Sequence, residues 1–193
     1  MARNPFTLRH SYVKLSLNNQ AIKGIGAISQ FPNLQVVEMN NNYITDLSAL
    51  GDLPSLLTLD VSNNSLTECL DYSVAECNVS NMFAEGVTAI GSMIHSANLS
   101  NNKIPNIRDL SPHRFLHHLD LSSNKISTLS GLSSLSMLQT LSLADNEITD
   151  IAGLDDLPLI SLDLGNNRLT TIGNLDTLPR LEKVSEAKRQ QKH

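Results

Sequence analysis

The stretch LQTLSLADNEITDIAGLDDLP, residues 138–158, decides the fold. Leu141 and Leu143 alternate with polar residues, which is the period of a β-strand. Ile148 and Ile151 begin a run of apolar residues at every third position, which suits a 3₁₀ or irregular turn better than a long α-helix. A unit of this size cannot bury its own apolar side, whereas stacked copies can. The stretch therefore predicts one turn of a solenoid.

The rest of the chain repeats this unit. Seven copies begin at residues 12, 34, 56, 94, 116, 138 and 159. The first three starts are 22 residues apart, and the last step is 21. An eighth copy begins at Leu181 with LEKV and gives way to the polar tail SEAKRQQKH. An open solenoid end exposes apolar residues and a strand edge. We therefore expect a fragment, a short isoform or a partner-capped chain, with limited order after about Glu186.

An asparagine follows the strand segment in most copies, where the chain must turn. An amide side chain at this point can bond backbone N–H and C=O groups that the sheet does not reach. The pattern predicts an internal ladder of stacked asparagines. Its members are Asn42, Asn64, Asn102, Asn124, Asn146 and Asn167. Gln20 takes this place in the first copy, a departure typical of an end unit.

Residues 67–93 interrupt the regular spacing, because the third and fourth copies start 38 residues apart. We interpret them as an insertion on the convex side, since an insertion on the strand side would break the sheet. Cys69 stands where other copies have leucine or isoleucine, which predicts a small core residue. Met82, Phe83 and Met93 either anchor the insertion on the solenoid or dock a partner.

Composition and charge restrict the class of protein. The chain has 193 residues, 40% of them hydrophobic, which is enough for one domain with a sizeable core. Its net charge of −5 argues against direct binding to a nucleic-acid backbone. There is no signal region and no apolar run long enough to cross a membrane. Cys69 and Cys77 are the only cysteines, which favours a reducing, cytoplasmic location.

The unit N-x-I-x-x-I-x-x-L-x-x-L-P resembles the leucine-rich repeat family, and within it the subfamily typified by the protein-phosphatase-1 regulatory leucine-rich repeat protein. NKIPNIRDLS, residues 102–111, is similar to the repeat part of the leucine-rich-repeat guanylate kinase protein of sperm. ITDLSAL, residues 44–50, is similar to units of the radial-spoke leucine-rich repeat protein of motile cilia. No guanylate kinase segment or G-x-x-x-x-G-K-[ST] loop is present, so that activity does not carry over.

Periodicity and resemblance together imply an α/β solenoid. We expect a leucine-rich repeat horseshoe with a parallel β-sheet on its concave face and 3₁₀ or short helical turns on its convex face. The repeat domain is predicted to cover residues 12–180. Residues 1–11 form a lead-in or weak N-terminal cap, and residues 181–193 a truncated repeat with a polar tail.

Side chains between the strand leucines should point onto the concave face, where they form a partly acidic stripe. The partner-binding candidates there are Glu38, Asp60, Asn98, His118, Asp120 and Asp163. His95 and His117 lie beside His118 and Asp120 on adjacent predicted strands. Imidazoles near a carboxylate could hold zinc, but exposed polar residues on a sheet are the simpler interpretation. We assign no metal and no cofactor.

The sequence contains no nucleophile–base pair, cleft carboxylate pair or phosphate loop, so we expect a non-enzymatic scaffold that binds other proteins. We expect no direct nucleic-acid, membrane or small-molecule substrate binding. Resemblance to the two ciliary proteins implies a structural component of the ciliary or flagellar axoneme. The alternative is a regulatory subunit that binds a phosphatase or another signalling protein through the concave face. An adaptor that reaches RNA only through a protein partner ranks lower.

Overall fold

A computed structural model describes residues 12–70, 92–171 and 173–185. Its main element is one parallel sheet of eight strands arranged in sequence order. The strands are β1 Lys14–Ser16, β2 Val36–Glu38, β3 Thr58–Asp60, β4 Ser96–Asn98, β5 His118–Asp120, β6 Thr140–Ser142, β7 Ser161–Asp163 and β8 Lys183–Ser185. The predicted parallel β-solenoid is thus confirmed, and the sequence LEKV supplies an eighth strand that pairs with β7.

Each strand pairs with the equivalent residues of the next, so corresponding positions form straight rows across the sheet. β3 and β4 keep this register, with Thr58 opposite Ser96 and Asp60 opposite Asn98. The extra residues between these strands therefore leave the sheet undisturbed. Fixed register means that a position in the repeat defines a row on the surface.

The middle residue of each strand faces the core, while its two neighbours face the other way. Leu59, Leu119 and Leu141 are each 1% exposed. Ala97 fills the same place in β4, and at the end of the sheet Leu15 is only half-buried. The core is one continuous cluster of mainly leucine and isoleucine side chains along the stack. Each repeat thus buries its apolar side against its neighbours, as the spacing predicts.

The segments that return from one strand to the next form 3₁₀ helices or turns where they are described, as the three-residue spacing predicts. The 3₁₀ helices of the described ranges are η1 Gly26–Gln30, η2 Ser48–Asp52, η3 Ser111–His113 and η4 Leu175–Thr177. These ranges contain no α-helix.

The 3₁₀ helix η3 forms hydrogen bonds with both described ends of the insertion. His113 is fully buried, and its Nε2–H donates to the Leu70 carbonyl at 2.9 Å. The Ser92 N–H donates to the Pro112 carbonyl at 2.7 Å. Cys69 is 1% exposed, which confirms its predicted place in the core.

Several expectations fall outside the described ranges. These are the lead-in 1–11, the order of the tail after Glu186, Cys77, and the docking or anchoring role of Met82 and Phe83. Met93 is described and is half-buried.

A left-handed residue precedes each ladder position and turns the chain away from the sheet. These residues have φ between 52° and 58°: Asn19, Asn41, Asn63, Asn101, Ser123, Asp145 and Asn166. Asparagine and aspartate tolerate this conformation better than most residues. The doublet Asn-Asn therefore combines two tasks. Its first residue makes the turn and its second enters the ladder.

Candidate functional site

The ladder asparagines bond the backbone of two consecutive repeats. Asn124 Oδ1 accepts from the Ile104 N–H at 3.0 Å. Its Nδ2 donates to the Leu121 carbonyl of its own repeat at 3.0 Å and to the Leu99 carbonyl of the preceding repeat at 3.1 Å. Asn64, Asn102, Asn146 and Asn167 repeat this geometry. The amides therefore join neighbouring repeats at the turn that follows each strand.

The first repeat is attached differently because Gln20 replaces the asparagine. Asn42 Oδ1 accepts two N–H groups from it, those of Gln20 at 3.0 Å and Ile22 at 2.9 Å. The Gln20 amide itself turns back and donates to the Asn18 carbonyl. The ladder thus begins at Asn42, whose side chain bonds the backbone of the first repeat.

Five of the six candidate partner-binding residues come together as one row on the sheet face that points away from the core, and His118 lies in the neighbouring row. We call Glu38, Asp60, Asn98, Asp120 and Asp163 the acidic row. Register places Glu38 opposite Asp60, Asp60 opposite Asn98, and Asn98 opposite Asp120. Ser142 separates Asp120 from Asp163. Adjacent members are about 4.8 Å apart across the sheet.

Four members of the acidic row also stabilise the turn that follows their strand. Asp60 Oδ1 accepts from the Ser62 N–H at 3.0 Å, and Asn98 Oδ1 accepts from the Ser100 N–H at 3.0 Å. Asp120 and Asp163 accept in the same way from the N–H two residues on. This bond closes an Asx turn. Sequence reasoning missed this role, although the spacing D-x-S in the third and fifth repeats, N-x-S in the fourth and D-x-G in the seventh could have indicated it.

The negative charge of the acidic row is greatest beyond Glu38, its first member. Lys14 Nζ lies 2.6 Å from Glu38 Oε1, and this hydrogen bond lowers the pKa of the Glu38 carboxyl. Asp60 Oδ2 accepts from the Asn40 amide at 3.0 Å, a neutral donor. In the described ranges, the carboxylates of Asp120 and Asp163 have only their turn bonds. A net negative strip therefore runs from the middle of the sheet to β7.

The histidines form a stack rather than a ligand cage. The His95 and His117 rings lie 5.3 Å apart with an angle of 11° between their planes, and Phe115 stacks on His95 at 6.5 Å. The Phe115 carbonyl lies 2.8 Å from His117 Nδ1, so Nδ1 carries the proton. Lone pairs of near-parallel rings do not converge on one point. In the described ranges no three His, Cys, Asp or Glu side chains form a group suited to a metal.

His118 is separate from this stack on the exposed side of β5. Its ring lies 6.5 Å from that of His117, tilted by 39°. It occupies the row next to the acidic row, two residues before Asp120. It therefore adds a hydrogen-bonding imidazole to the same face of the sheet.

Models of leucine-rich repeats match residues 11–52, 32–73, 113–136 and 134–154, which together make up more than half of the chain. The chain belongs to the leucine-rich repeat family. Proteins of this family generally act through protein–protein interaction, and the fold is typical of a non-enzymatic interaction scaffold.

Solved structures of other repeat proteins are similar to this one. Internalin C2 from Listeria monocytogenes is 27% identical with a TM-score of 0.57, over 90% of this chain and 80% of its own. The leucine-rich repeat domain of APL1B is 18% identical with a TM-score of 0.66, over 91% of this chain and 47% of its own. A second Listeria monocytogenes internalin is 24% identical with a TM-score of 0.51, over 90% and 60%. No curated protein matches the sequence. Among the described residues no helix has the length and apolar character needed to span a bilayer.

Proposed function

We propose that this chain is a protein-interaction scaffold that holds a partner along the acidic row. Asn98 carries the argument. It forms the same turn bond as the aspartates, so an amide oxygen can serve this turn in place of a carboxylate and no charge is needed. The carboxylates of Asp120 and Asp163 thus place negative charge on a rigid surface without a structural requirement for it. Asp60 adds a third charge, and its Oδ2 also accepts from the Asn40 amide. A partner with a basic or amide-rich surface matches this row.

Replacement of these aspartates by asparagine tests the proposal without disturbing the turns. The triple variant Asp60→Asn, Asp120→Asn and Asp163→Asn keeps an Oδ1 acceptor at each place, as Asn98 does naturally. The wild-type and variant chains are immobilised, and captured proteins are quantified by mass spectrometry. We expect a specific set of partners to be reduced about tenfold, since three exposed charge contacts are removed.

A matched control applies the same change away from the sheet. Asp46 and Asp109 accept the N–H and hydroxyl of Ser48 and Ser111, so they are also turn aspartates, but neither lies on a strand. Asp46→Asn with Asp109→Asn should leave capture unchanged. Equal capture by the triple variant and wild type, or equal loss in the control, would overturn the assignment of the acidic row.

For the finer role, we propose a structural place in the ciliary or flagellar axoneme. Its support is the resemblance of residues 44–50 and 102–111 to repeats of ciliary proteins. The test is fractionation of isolated axonemes, in which the chain should resist extraction by high salt. The alternative, a regulatory subunit of a phosphatase or other signalling protein, predicts co-purification with a soluble catalytic subunit, lost in the triple variant. Appearance only in the soluble fraction, with no axonemal pool, would contradict the axonemal role.

A further inference from the structure

A second polar surface lies beyond the ladder, where no sequence pattern pointed. It is a groove of about 580 Å³ on the first four repeats, and we call it the lysine groove. Its lining residues are Lys23, Tyr43, Thr45, Ser65 and Lys103. Two lysines and three hydroxyl-bearing residues thus line one open space, and no acidic residue of the described ranges lines it.

The backbone holds three of these residues in a regular array. The Tyr43 N–H donates to the Ile22 carbonyl at 2.7 Å. The N–H groups of Ser65 and Lys103 bond the equivalent carbonyl of the preceding repeat, at 2.9 Å and 2.8 Å. Each residue directly follows a ladder position, so the side chains emerge on consecutive repeats. The groove is therefore formed before any ligand arrives, which lowers the entropic cost of binding.

The charge of the groove is not balanced within it. Lys103 Nζ leans back one repeat to the neutral Ser65 hydroxyl at 3.3 Å. In the described ranges neither Lys103 nor Lys23 contacts a carboxylate, whereas Lys14 and Arg168 both do. An anion in the groove could accept hydrogen bonds from the lysine ammonium groups and from the neighbouring hydroxyls.

The described acidic side chains that follow Thr45 and Ser65 in sequence, Asp46 and Glu68, make contacts of their own. Both carboxylate oxygens of Asp46 accept from Ser48, one from its N–H and one from its hydroxyl, each at 2.8 Å. Glu68 pairs with Arg108 at 3.2 Å. These contacts reduce the negative potential that an incoming anion would meet.

We propose that the lysine groove binds a phosphate monoester carried by a phosphorylated serine or threonine of a protein partner. A phosphoryl group offers three acceptor oxygens and close to two negative charges, which match the lysine and hydroxyl donors that line the groove. The exposed Tyr43 ring, 58% accessible, provides a flat apolar contact for the peptide beside the phosphate. The groove lies apart from the acidic row, so this proposal stands whether or not the acidic row binds a partner.

Two-dimensional amide NMR on the full chain tests this directly. The probes are a capped five-residue alanine peptide with a central phosphoserine, the same peptide with serine, and inorganic phosphate. We expect saturable shifts at the amides of Tyr43, Thr45, Ser65 and Lys103 with the phosphopeptide, and none with the serine peptide. Binding should weaken as salt is raised. Inorganic phosphate should bind at the same residues but more weakly, because it lacks the peptide contact.

Matched lysine variants separate the groove from general charge attraction. Lys23→Gln with Lys103→Gln should weaken the phosphopeptide about tenfold, as expected for two exposed charge contacts. Lys125→Gln removes one exposed charge from the next position of the same row, outside the groove, and should change affinity less than about twofold. The proposal fails if no groove amide shifts, if the serine peptide binds equally well, or if Lys125→Gln weakens binding as much as the double variant. Equal affinity for inorganic phosphate would overturn the protein-borne ligand.

Discussion

Replacement of Asn124 by alanine should lower the free energy of unfolding far more than replacement of an exposed polar side chain would. The Ile104 N–H would lose its acceptor at 3.0 Å while remaining buried, at a cost of about 1–3 kcal/mol. The Leu99 and Leu121 carbonyls would each lose one of the two amide bonds that they accept, at about 0.5 kcal/mol or more each. The free energy of unfolding should fall by about 3 kcal/mol.

The same substitution at Asn167 provides the internal comparison. Asn167 makes equivalent bonds to Ile148, Leu143 and Leu164, but it is only half-buried, so water can replace them. We expect a loss of about 1 kcal/mol there. Asn106→Ala, at an exposed position outside the ladder, should change stability by less than about 0.5 kcal/mol.

Urea titration followed by circular dichroism and tyrosine fluorescence measures these differences. The chain has three tyrosines and no tryptophan, so tyrosine emission is directly visible. Coincident transitions by the two probes establish that unfolding is cooperative enough for a free energy to be defined. A loss below about 1 kcal/mol for Asn124→Ala, or an equal loss for Asn167→Ala, would refute the ladder as a source of stability.

Other predictions follow from the strained and buried positions. Gly131 has a φ of 90°, and a Cβ there would lie 2.1 Å from the Arg108 carbonyl oxygen, so Gly131→Ala should lower stability by about 2 kcal/mol or more. Gly24→Ala, with open space around the new Cβ, should not lower stability in this way. Thermal melting compares the two variants, and equal melting temperatures would contradict the clash. Burial lowers the pKa of His113 below its ordinary value of 6.5. The unfolded chain then binds more protons, so stability should be fully present above about pH 6.5 and should fall as the pH drops towards the folded-state pKa. His113→Gln should flatten this slope in urea titrations at several pH values, and an unchanged slope would assign it to other groups. Leu119→Ala should cost about 2–5 kcal/mol in the same titrations, because Leu119 is 1% exposed, and a loss under about 1 kcal/mol would contradict its core role.

The sequence predicted the fold because stacking constrains the repeat so strongly. Leucine spacing specified the strands and their parallel order, and the spacing of copies specified the register. The turn roles of Asn41 and Asp60 were not predicted, because a polar residue in a strand or turn has several possible uses that spacing alone does not separate. The hydrogen bond between His113 and Leu70 could not be predicted either, since the two residues are 43 positions apart and the insertion lies between them. Neither the acidic row's partner nor the lysine groove follows from the repeat pattern.

The surface charges support a division of labour between two faces. Other exposed charges of the described ranges form local pairs, as Glu147 and Arg168 do. The acidic row instead keeps carboxylates at Asp120 and Asp163 without cationic contacts in the described ranges, and the lysine groove keeps Lys23 and Lys103 without carboxylate contacts there. Because both faces belong to one rigid stack, occupation of one does not require movement of the other. On the two proposals above, either a single partner wraps around the strand edge to contact both faces, or the two faces bind two different partners. The triple aspartate variant and the double lysine variant distinguish these arrangements. Loss of the same protein from both variants indicates a single partner.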